Sequence, residues 1–142
     1  MTAASLKQVA ISGPDHLVRH DRAANTVAVL SGLIFFLAGL VKFVFHHWEL
    51  HAFQGFGLPW PTAVEILAGV LEMAGGLLLL LRRYVAPVAV LLAVTMVVAI
   101  GSSGIGHGDI VPSLTLAPAL LAAMIYLLAR GLGRNPTKRI TD

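Results

Sequence analysis

Four long apolar stretches follow one another along the chain, and short polar connections separate them. The stretches cover residues 27–45, 62–81, 84–100 and 111–128. A helix needs roughly 20 mostly apolar residues, within a range of about 17 to 25, to cross the hydrocarbon core of a bilayer. Helices are favoured there because lipid offers backbone N–H and C=O groups no water to bond with. The pattern therefore predicts an all-α integral membrane protein, a four-helix bundle with antiparallel up-down topology.

Basic residues mark one side of this predicted bundle. Of the 10 lysines and arginines, Lys42 lies inside the first apolar stretch, and all others fall near the chain ends or in the tight turn after the second stretch. Because cytoplasmic segments carry such an excess, both termini are predicted to be cytoplasmic, in a bacterial-type plasma membrane. The predicted organisation is a cytoplasmic tail at 1–24, a four-helix domain at 25–131 and a basic cytoplasmic tail at 132–142.

The composition agrees with a membrane protein and limits its chemistry. Of 142 residues, 57% are hydrophobic and 12% are charged, about half the charged fraction of a soluble domain. The chain has no cysteine, so its own side chains form no disulfide and no thiolate metal site. The formal net charge is +3, but the basic residues flank the apolar stretches, which is an orientation signal. No nucleic-acid partner is predicted.

A carboxyl group lies near the middle of the second apolar stretch. Placing Glu72 inside a membrane helix costs roughly 3 kcal/mol on insertion scales, so its side chain is expected to face protein. Glu65 and Gly69 share its helix face, and Gly39 and Lys42 share a face of the first helix. Small residues in such lines let membrane helices approach closely. The two faces are expected to meet, with Lys42 beside Glu65 by depth, or beside Glu72 if the lysine extends inward.

Two interpretations of these polar residues stay open. One is a structural Lys–Glu pair that holds the first two helices together. The other is a ligand or proton site lined by Lys42, Glu65, Glu72 and Thr95, because ionisable residues inside a membrane are functional by default. Thr95 is the polar side chain in the middle of the third stretch, and it is predicted to lie at about the depth of Glu72.

Histidines collect in the two connections on the predicted outer side. His47 and His51 lie in the first connection, and His107 lies in the second. A belt of amphipathic side chains at headgroup level, anchored by Trp48 and Trp60, is the favoured interpretation, so no metal is assigned. Binding of zinc or another divalent ion by two or three of these histidines is an alternative, and a proton relay through His47 or His107 is another.

Several short motifs occur in a defined order within residues 27–130. They are Gly32…Gly39-x-x-Lys42, Gly57-Leu58-Pro59, and Glu72-x-x-Gly75-Gly76-Leu77 with a basic turn after it. In this order they resemble the DoxX family of small four-helix membrane proteins. The resemblance implies a link to membrane redox: one branch of the family is similar to a subunit of thiosulfate:quinone oxidoreductase, and another looks like part of an assembly with superoxide dismutase and a sulfurtransferase. It also implies Lys42 and Glu72 as functional positions.

The leading hypothesis is a membrane subunit of a quinone-linked redox system, embedded in the lipid bilayer and acting with membrane or soluble redox proteins. Glu72 and Lys42 would form its proton or ligand site. The further ligand-binding candidates are Glu65, Thr95, Gly39 and Gly69. A non-catalytic membrane scaffold that recruits redox partners is the alternative, and a small transporter is the third hypothesis. The sequence leaves open whether the chain is itself an enzyme and whether it forms a homo-oligomer.

Overall fold

The computed structural model describes residues 21–105, 107–108 and 112–132, and the regular structure in these ranges is helical. Five α-helices and two short π-helical segments make up this part of the chain. They are α1 (Arg22–Val44), α2 (His46–Gly55), α3 (Pro61–Leu80), α4 (Val85–Ala99), the π-helical segments Ile100–Ile105 and Pro112–Leu116, and α5 (Ala117–Leu132). The predicted all-α class is confirmed. Most of the two predicted tails lies outside the described residues.

Three of the described helices are long and apolar enough to cross a membrane. They are Arg22–Val44, Pro61–Leu80 and Val85–Gly104, the last formed by α4 and its π-helical continuation. The fourth apolar helix, Leu114–Arg130, is shorter. The stretch predicted at 111–128 thus becomes α-helical only from Ala117 onward. Pro118 has no N–H with which to bond the carbonyl four residues earlier, so the chain enters this helix through a wider π-helical turn.

The first helix begins earlier than the apolar pattern predicts. The side chain of Asp21 accepts hydrogen bonds from the backbone N–H groups of Ala23 and Ala24 at 3.0 and 3.3 Å. Such an N-cap satisfies donors that the first helical turn leaves free. The helix therefore starts at Arg22, although the apolar stretch starts at residue 27.

A short surface helix occupies most of the connection 46–61, which the sequence suggests is a loop. Phe45 alone separates the end of α1 from the start of α2. No residue of α2 is fully buried, and Trp48 is 70% exposed, although α2 contacts both α1 and α3. The chain then turns through Gly57, whose φ of +68° suits glycine, before Pro61 opens α3. We call this side of the bundle the α2 end.

The four longer helices pack in a ring, in which α1 contacts α3, α3 contacts α4, α4 contacts α5 and α5 contacts α1. The most extensive of these contacts joins α1 to α3. The largest buried apolar side chains of the core come from each helix of the ring: Phe35, Leu79, Leu92, Met124 and Leu127. The polar site described below lies along the α1–α3 contact.

The opposite side, which we call the arginine end, gathers the start of α1, the α3–α4 turn and the end of α5. Arg82 donates from Nη1 to Oδ1 of Asn25 at 3.0 Å, and Nη1 of Arg130 lies 3.6 Å from Oδ2 of Asp21. These contacts join chain segments that an antiparallel up-down bundle brings to one side. The cytoplasmic location of this end stays a prediction.

Large apolar side chains cover the outward faces of the ring. They are between 45% and 58% exposed at Leu33, Leu37, Leu67, Val94 and Ile125. A soluble monomer rarely exposes an apolar surface of this extent, whereas such a surface suits contact with lipid. The fold is therefore that of an all-α membrane protein.

Glycines set the distance between α1 and α3. A Cβ atom added to Gly76 would lie 2.5 Å from the backbone N of Phe36 and 2.6 Å from the carbonyl oxygen of Gly32. A Cβ atom added to Gly39 would lie 2.6 Å from the carbonyl oxygen of Gly69. Because real Cβ atoms do not approach backbone this closely, the two helices can touch here only through glycine.

Candidate functional site

Polar side chains from α1 and α3 meet inside the bundle. Lys42 lies in the last turn of α1, and its Nζ donates a hydrogen bond to Oε2 of Glu72 at 2.8 Å. The Lys42 side chain is 16% exposed and the Glu72 side chain is 7% exposed. This distance is typical of a charge-assisted hydrogen bond. The two residues form a largely buried ion pair in which the lysine is the more accessible partner.

The directions of the two helices explain this pairing. Side chains on an α-helix lean toward its N-terminus. α1 runs toward the α2 end, so Lys42 leans back into the bundle, while α3 starts at the α2 end, so Glu72 leans toward the lysine. The structure therefore does not form the Lys42–Glu65 pair that depth along the helices predicts. It forms the Lys42–Glu72 pair instead.

A second buried carboxyl group, that of Glu65, pairs with His46. Oε1 of Glu65 lies 2.9 Å from Nδ1 of His46. The Glu65 side chain is 1% exposed, whereas the His46 side chain is 40% exposed. The pair thus connects the surface at the α2 end with the interior. Sequence reasoning missed this role of His46, although the residue lies four positions after Lys42 and extends the same helical line.

One carboxylate oxygen of Glu65 is left without a partner. Oε2 is buried and forms no hydrogen bond with any described residue. A buried acceptor that lacks a donor costs roughly 1–3 kcal/mol, so folded proteins keep few of them. Oε2 of Glu65 is therefore an open acceptor inside the bundle, available to a proton, a water molecule or a donor group that moves toward it.

The remaining candidates for ligand binding lie in packed surroundings. Gly39 and Gly69 belong to the close contact between α1 and α3, and the space beside Gly39 is filled by Met73 and by the backbone of α3. Thr95 is half-buried, and its hydroxyl donates to the carbonyl oxygen of Leu92 in its own helix at 2.8 Å. The structure thus gives the two glycines a packing role, and their part in ligand binding, like that of Thr95, stays a prediction.

The histidines outside the ion pairs are spread over the α2 end. His47 and His51 are exposed on α2, and the Nδ1 of His107 lies 2.8 Å from the carbonyl oxygen of Ser102. The His107 ring also lies 5.3 Å from that of Phe56. In residues 21–105, 107–108 and 112–132, no group of three His, Cys, Asp or Glu side chains is placed to hold a metal ion. The divalent-ion and proton-relay hypotheses for these histidines stay predictions.

One ammonium, two carboxyl groups and one imidazole thus lie between and beside α1 and α3. Glu65 and Glu72 are seven residues apart on one face of α3, which corresponds to about 10.5 Å along the helix axis. Charges interact more strongly here than in water because the surroundings are apolar. Ionisable groups placed in this way are suited to binding a polar ligand group and to moving protons.

Comparisons with known proteins add one finding. The family model described as DoxX matches residues 28–108, which is more than half of the chain and includes Lys42, Glu65 and Glu72. The curated proteins and the solved structures contain no match to the chain.

Proposed function

The chain belongs to the DoxX family of membrane proteins, and we propose that it is the membrane subunit of a quinone-linked redox system. In this proposal Lys42 holds a ring oxygen of the quinone, and Glu72 exchanges a proton with that oxygen. Electrons come from a partner redox protein, since the chain contributes no thiol of its own. The observation that carries the proposal is the buried ion pair at 2.8 Å between Lys42 and Glu72.

Burial makes this pair an unusual feature for a chain of this composition. Each charged group loses several kcal/mol of hydration when it enters an apolar interior, and the attraction between the two charges offsets this only in part. Apolar residues of similar volume would often hold two helices together equally well. A pair retained inside a membrane bundle is therefore a candidate for chemistry as well as for packing.

The geometry suits a carbonyl or hydroxyl oxygen as ligand. The Lys42 ammonium has three N–H donors, and Glu72 takes one of them. A second donor can reach a ring oxygen from the more accessible side of the lysine, where the side chain is 16% exposed. Reduction of a quinone to a quinol takes two electrons and two protons. The carboxyl group of Glu72 can pass one proton to the ring oxygen that Lys42 holds and be reloaded from water, and the second proton reaches the other ring oxygen from water.

Binding of a quinone tests the proposal directly. The purified full-length chain in lipid nanodiscs is titrated with a short-chain ubiquinone and with a short-chain naphthoquinone, and the lipid-soluble material that co-purifies is identified by mass spectrometry. Loss of one charge-assisted hydrogen bond corresponds to roughly 1.5–3 kcal/mol, so we expect Lys42→Met to weaken binding roughly 10- to 100-fold.

Asp21→Asn is the matched control for this experiment. Asp21 belongs to the ion pair at the arginine end, and asparagine keeps the helix cap, so this change should leave binding intact. Failure of the wild-type chain to bind or co-purify with any quinone would exclude the proposed function. Equal binding by the wild-type chain and Lys42→Met would exclude the assigned site.

A non-catalytic scaffold is the second candidate, and the glycine contacts between α1 and α3 favour it. The space between the two helices is filled by backbone at Gly32, Gly39 and Gly76. The Lys42–Glu72 pair could therefore serve only to hold α1 and α3 together. A scaffold would keep its cellular role when Lys42 and Glu72 are both replaced by methionine, provided that the helices still pack. A quinone-linked subunit would lose its role in the same double variant.

A further inference from the structure

Two buried carboxyl groups accompany a single lysine in the contact between α1 and α3. Lys42 neutralises one of them, that of Glu72. The other, Glu65, is 1% exposed and has the imidazole of His46 at 2.9 Å. An isolated ionised carboxylate is costly to bury, and one proton, held on Oε2 of Glu65 or shared with the imidazole, removes that cost. With that proton, each of the two pairs is electrically neutral.

The stem of Lys42 lies beside the part of α3 that separates the two glutamates. Its Cβ lies 3.4 Å from the position that a Cβ on Gly69 would take. Gly69 is four residues after Glu65 and three residues before Glu72 on one face of α3. The lysine stem carries four carbons and extends readily toward a helix end, where such side chains reach for the membrane interface. The direction from Glu72 to Glu65 is also the direction toward the α2 end.

We propose that His46 and Glu65 form a proton-exchange site at the α2 end, and that loss of its proton draws the Lys42 ammonium from Glu72 to the unpartnered Oε2 of Glu65. This inference rests on the proposed function, because the proton-exchange site would supply protons to, or take them from, the quinone-binding pair. The proton leaves Glu65 through the imidazole of His46, which is the exposed member of the pair.

The charges balance in both arrangements. In the first, the ammonium pairs with the Glu72 carboxylate while the His46–Glu65 pair holds its proton. In the second, the ammonium pairs with the Glu65 carboxylate, and Glu72 holds a proton that it has taken from a quinol hydroxyl. One proton has then left through His46 and one has entered at Glu72, so the net charge inside the bundle has not changed. When a quinone is reduced by electrons from the partner redox protein, Glu72 gives its proton to one ring oxygen and the His46–Glu65 pair takes up a proton.

Few other titratable groups surround Glu65. The helix α4, which also contacts α3, has no titratable side chain in its sequence. The titratable groups near the α2 end on α1 and α2 are Lys42, His46, His47, Glu49 and His51. The His47 ring centroid lies 6.0 Å from that of His46. Among these residues, Lys42 is the permanent cation, so it is the group that can move toward the Glu65 carboxylate when the proton leaves.

Solid-state NMR on the full-length chain in lipid tests where the ammonium lies. Glu49, Glu65 and Glu72 are the three glutamates of the sequence, so ¹⁵N-lysine and ¹³C-glutamate labelling gives few contacts to distinguish. In Glu72→Gln, Glu65 is the buried carboxyl group that remains beside Lys42 in the described part of the chain. We expect a dipolar contact between Lys42 Nζ and a glutamate carboxyl at pH 9, its loss at pH 5, and its absence at both pH values in the double variant with Glu65→Gln.

Glu72→Met provides the same comparison if Glu72→Gln does not fold, because it also leaves Lys42 without its first partner. We expect the same contact at pH 9 and its loss at pH 5. In addition, the double variant of Glu72→Gln and Glu65→Gln should release about one proton fewer per chain over this range than Glu72→Gln alone, and Glu72→Gln combined with Asp21→Asn should release as many as Glu72→Gln. A lysine that never contacts Glu65, or an equal proton count with and without the Glu65 carboxyl group, overturns the inference. Neither measurement uses a quinone, so the proposed function is tested separately.

Discussion

Removing the partners of the buried pair one at a time, and then together, tests whether Lys42 and Glu72 interact as the structure indicates. The variants are Lys42→Met, Glu72→Met and the double variant. At an N–O distance of 2.8 Å and an effective dielectric constant of about 20, the attraction between the two charges is about 6 kcal/mol. The loss of hydration offsets much of it, so the net worth of the pair is far smaller than this figure.

The single variants are expected to be more damaging than the double variant. Lys42→Met leaves a carboxyl group that is 7% exposed without its cation, and breaking a buried pair in this way typically costs about 3–5 kcal/mol. Proton uptake limits this loss, because neutralising an ordinary glutamate at pH 7 costs about 3.7 kcal/mol. Glu72→Met should cost less, since the lysine can extend toward the α2 end. The double variant leaves no charge unpaired and should remain within about 1.5 kcal/mol of the wild type.

The effect of Lys42→Met should depend on pH in a defined direction. A stranded carboxyl group takes up a proton more easily as the pH falls, by about 1.36 kcal/mol per pH unit. The loss of stability in Lys42→Met should therefore be smaller at pH 5 than at pH 7. In Glu72→Met the stranded group is an ammonium, which lower pH does not neutralise, so no such recovery is expected.

Reversible unfolding in mixed micelles, followed by helical circular dichroism at pH 5 and pH 7, measures these differences. Asp21→Asn serves as the control, because it changes a carboxylate outside the apolar interior and keeps the cap of α1. The reasoning is refuted if the two single losses add up to the loss of the double variant. It is refuted equally if Lys42→Met is as unstable at pH 5 as at pH 7.

Three further expectations concern other parts of the fold. In the same unfolding assay, Gly39→Ala should lower the free energy of unfolding by roughly 1–3 kcal/mol, because the new Cβ meets backbone at 2.6 Å. The Cβ of Gly55→Ala meets nothing within 4 Å, so this control change should be neutral or stabilising. Since the chain has no cysteine, His51→Cys and Arg83→Cys each give a single labelling site. A membrane-impermeant maleimide added to intact cells should label His51→Cys and not Arg83→Cys. The reverse pattern would invert the predicted orientation. Thr95→Val should change stability by less than about 1 kcal/mol, because among the described residues the hydroxyl bonds only Leu92 of its own helix. A larger loss, or loss of quinone binding, would place Thr95 in the site.

The sequence predicts the helices because apolar length is a direct consequence of bilayer thickness. It predicts their boundaries less well where polar contacts decide them. The side chain of Asp21 caps α1, which therefore starts five residues before the apolar stretch begins. At the other end, Pro118 delays the last α-helix and shortens the fourth apolar segment. Hydropathy averages over such local contacts, so it cannot register them.

The sequence predicts which residues form the site better than it predicts which of them pair with each other. Periodicity places Lys42, Glu65 and Glu72 on facing lines, and the glycines between them indicate a close approach of α1 and α3. Depth along the helices then favours the wrong glutamate, because it ignores the lean of side chains toward a helix N-terminus. The role of His46 was missed since the residue follows the apolar stretch and looks like part of a loop, although α2 begins there.

The number of ionisable groups bears on the choice between a clamp and a functional site. A clamp between α1 and α3 would be complete with Lys42 and Glu72, and the glycines already bring the two helices into contact. Glu65 adds a second buried carboxyl group whose Oε2 has no partner in the described part of the chain. Its other oxygen contacts His46 of α2, but the unpartnered oxygen adds cost, since a buried unpaired acceptor destabilises the fold. A second acceptor within the same helix contact is useful if the proton or the ammonium has to occupy two places in turn, and for this reason we favour a site that moves protons over a static clamp.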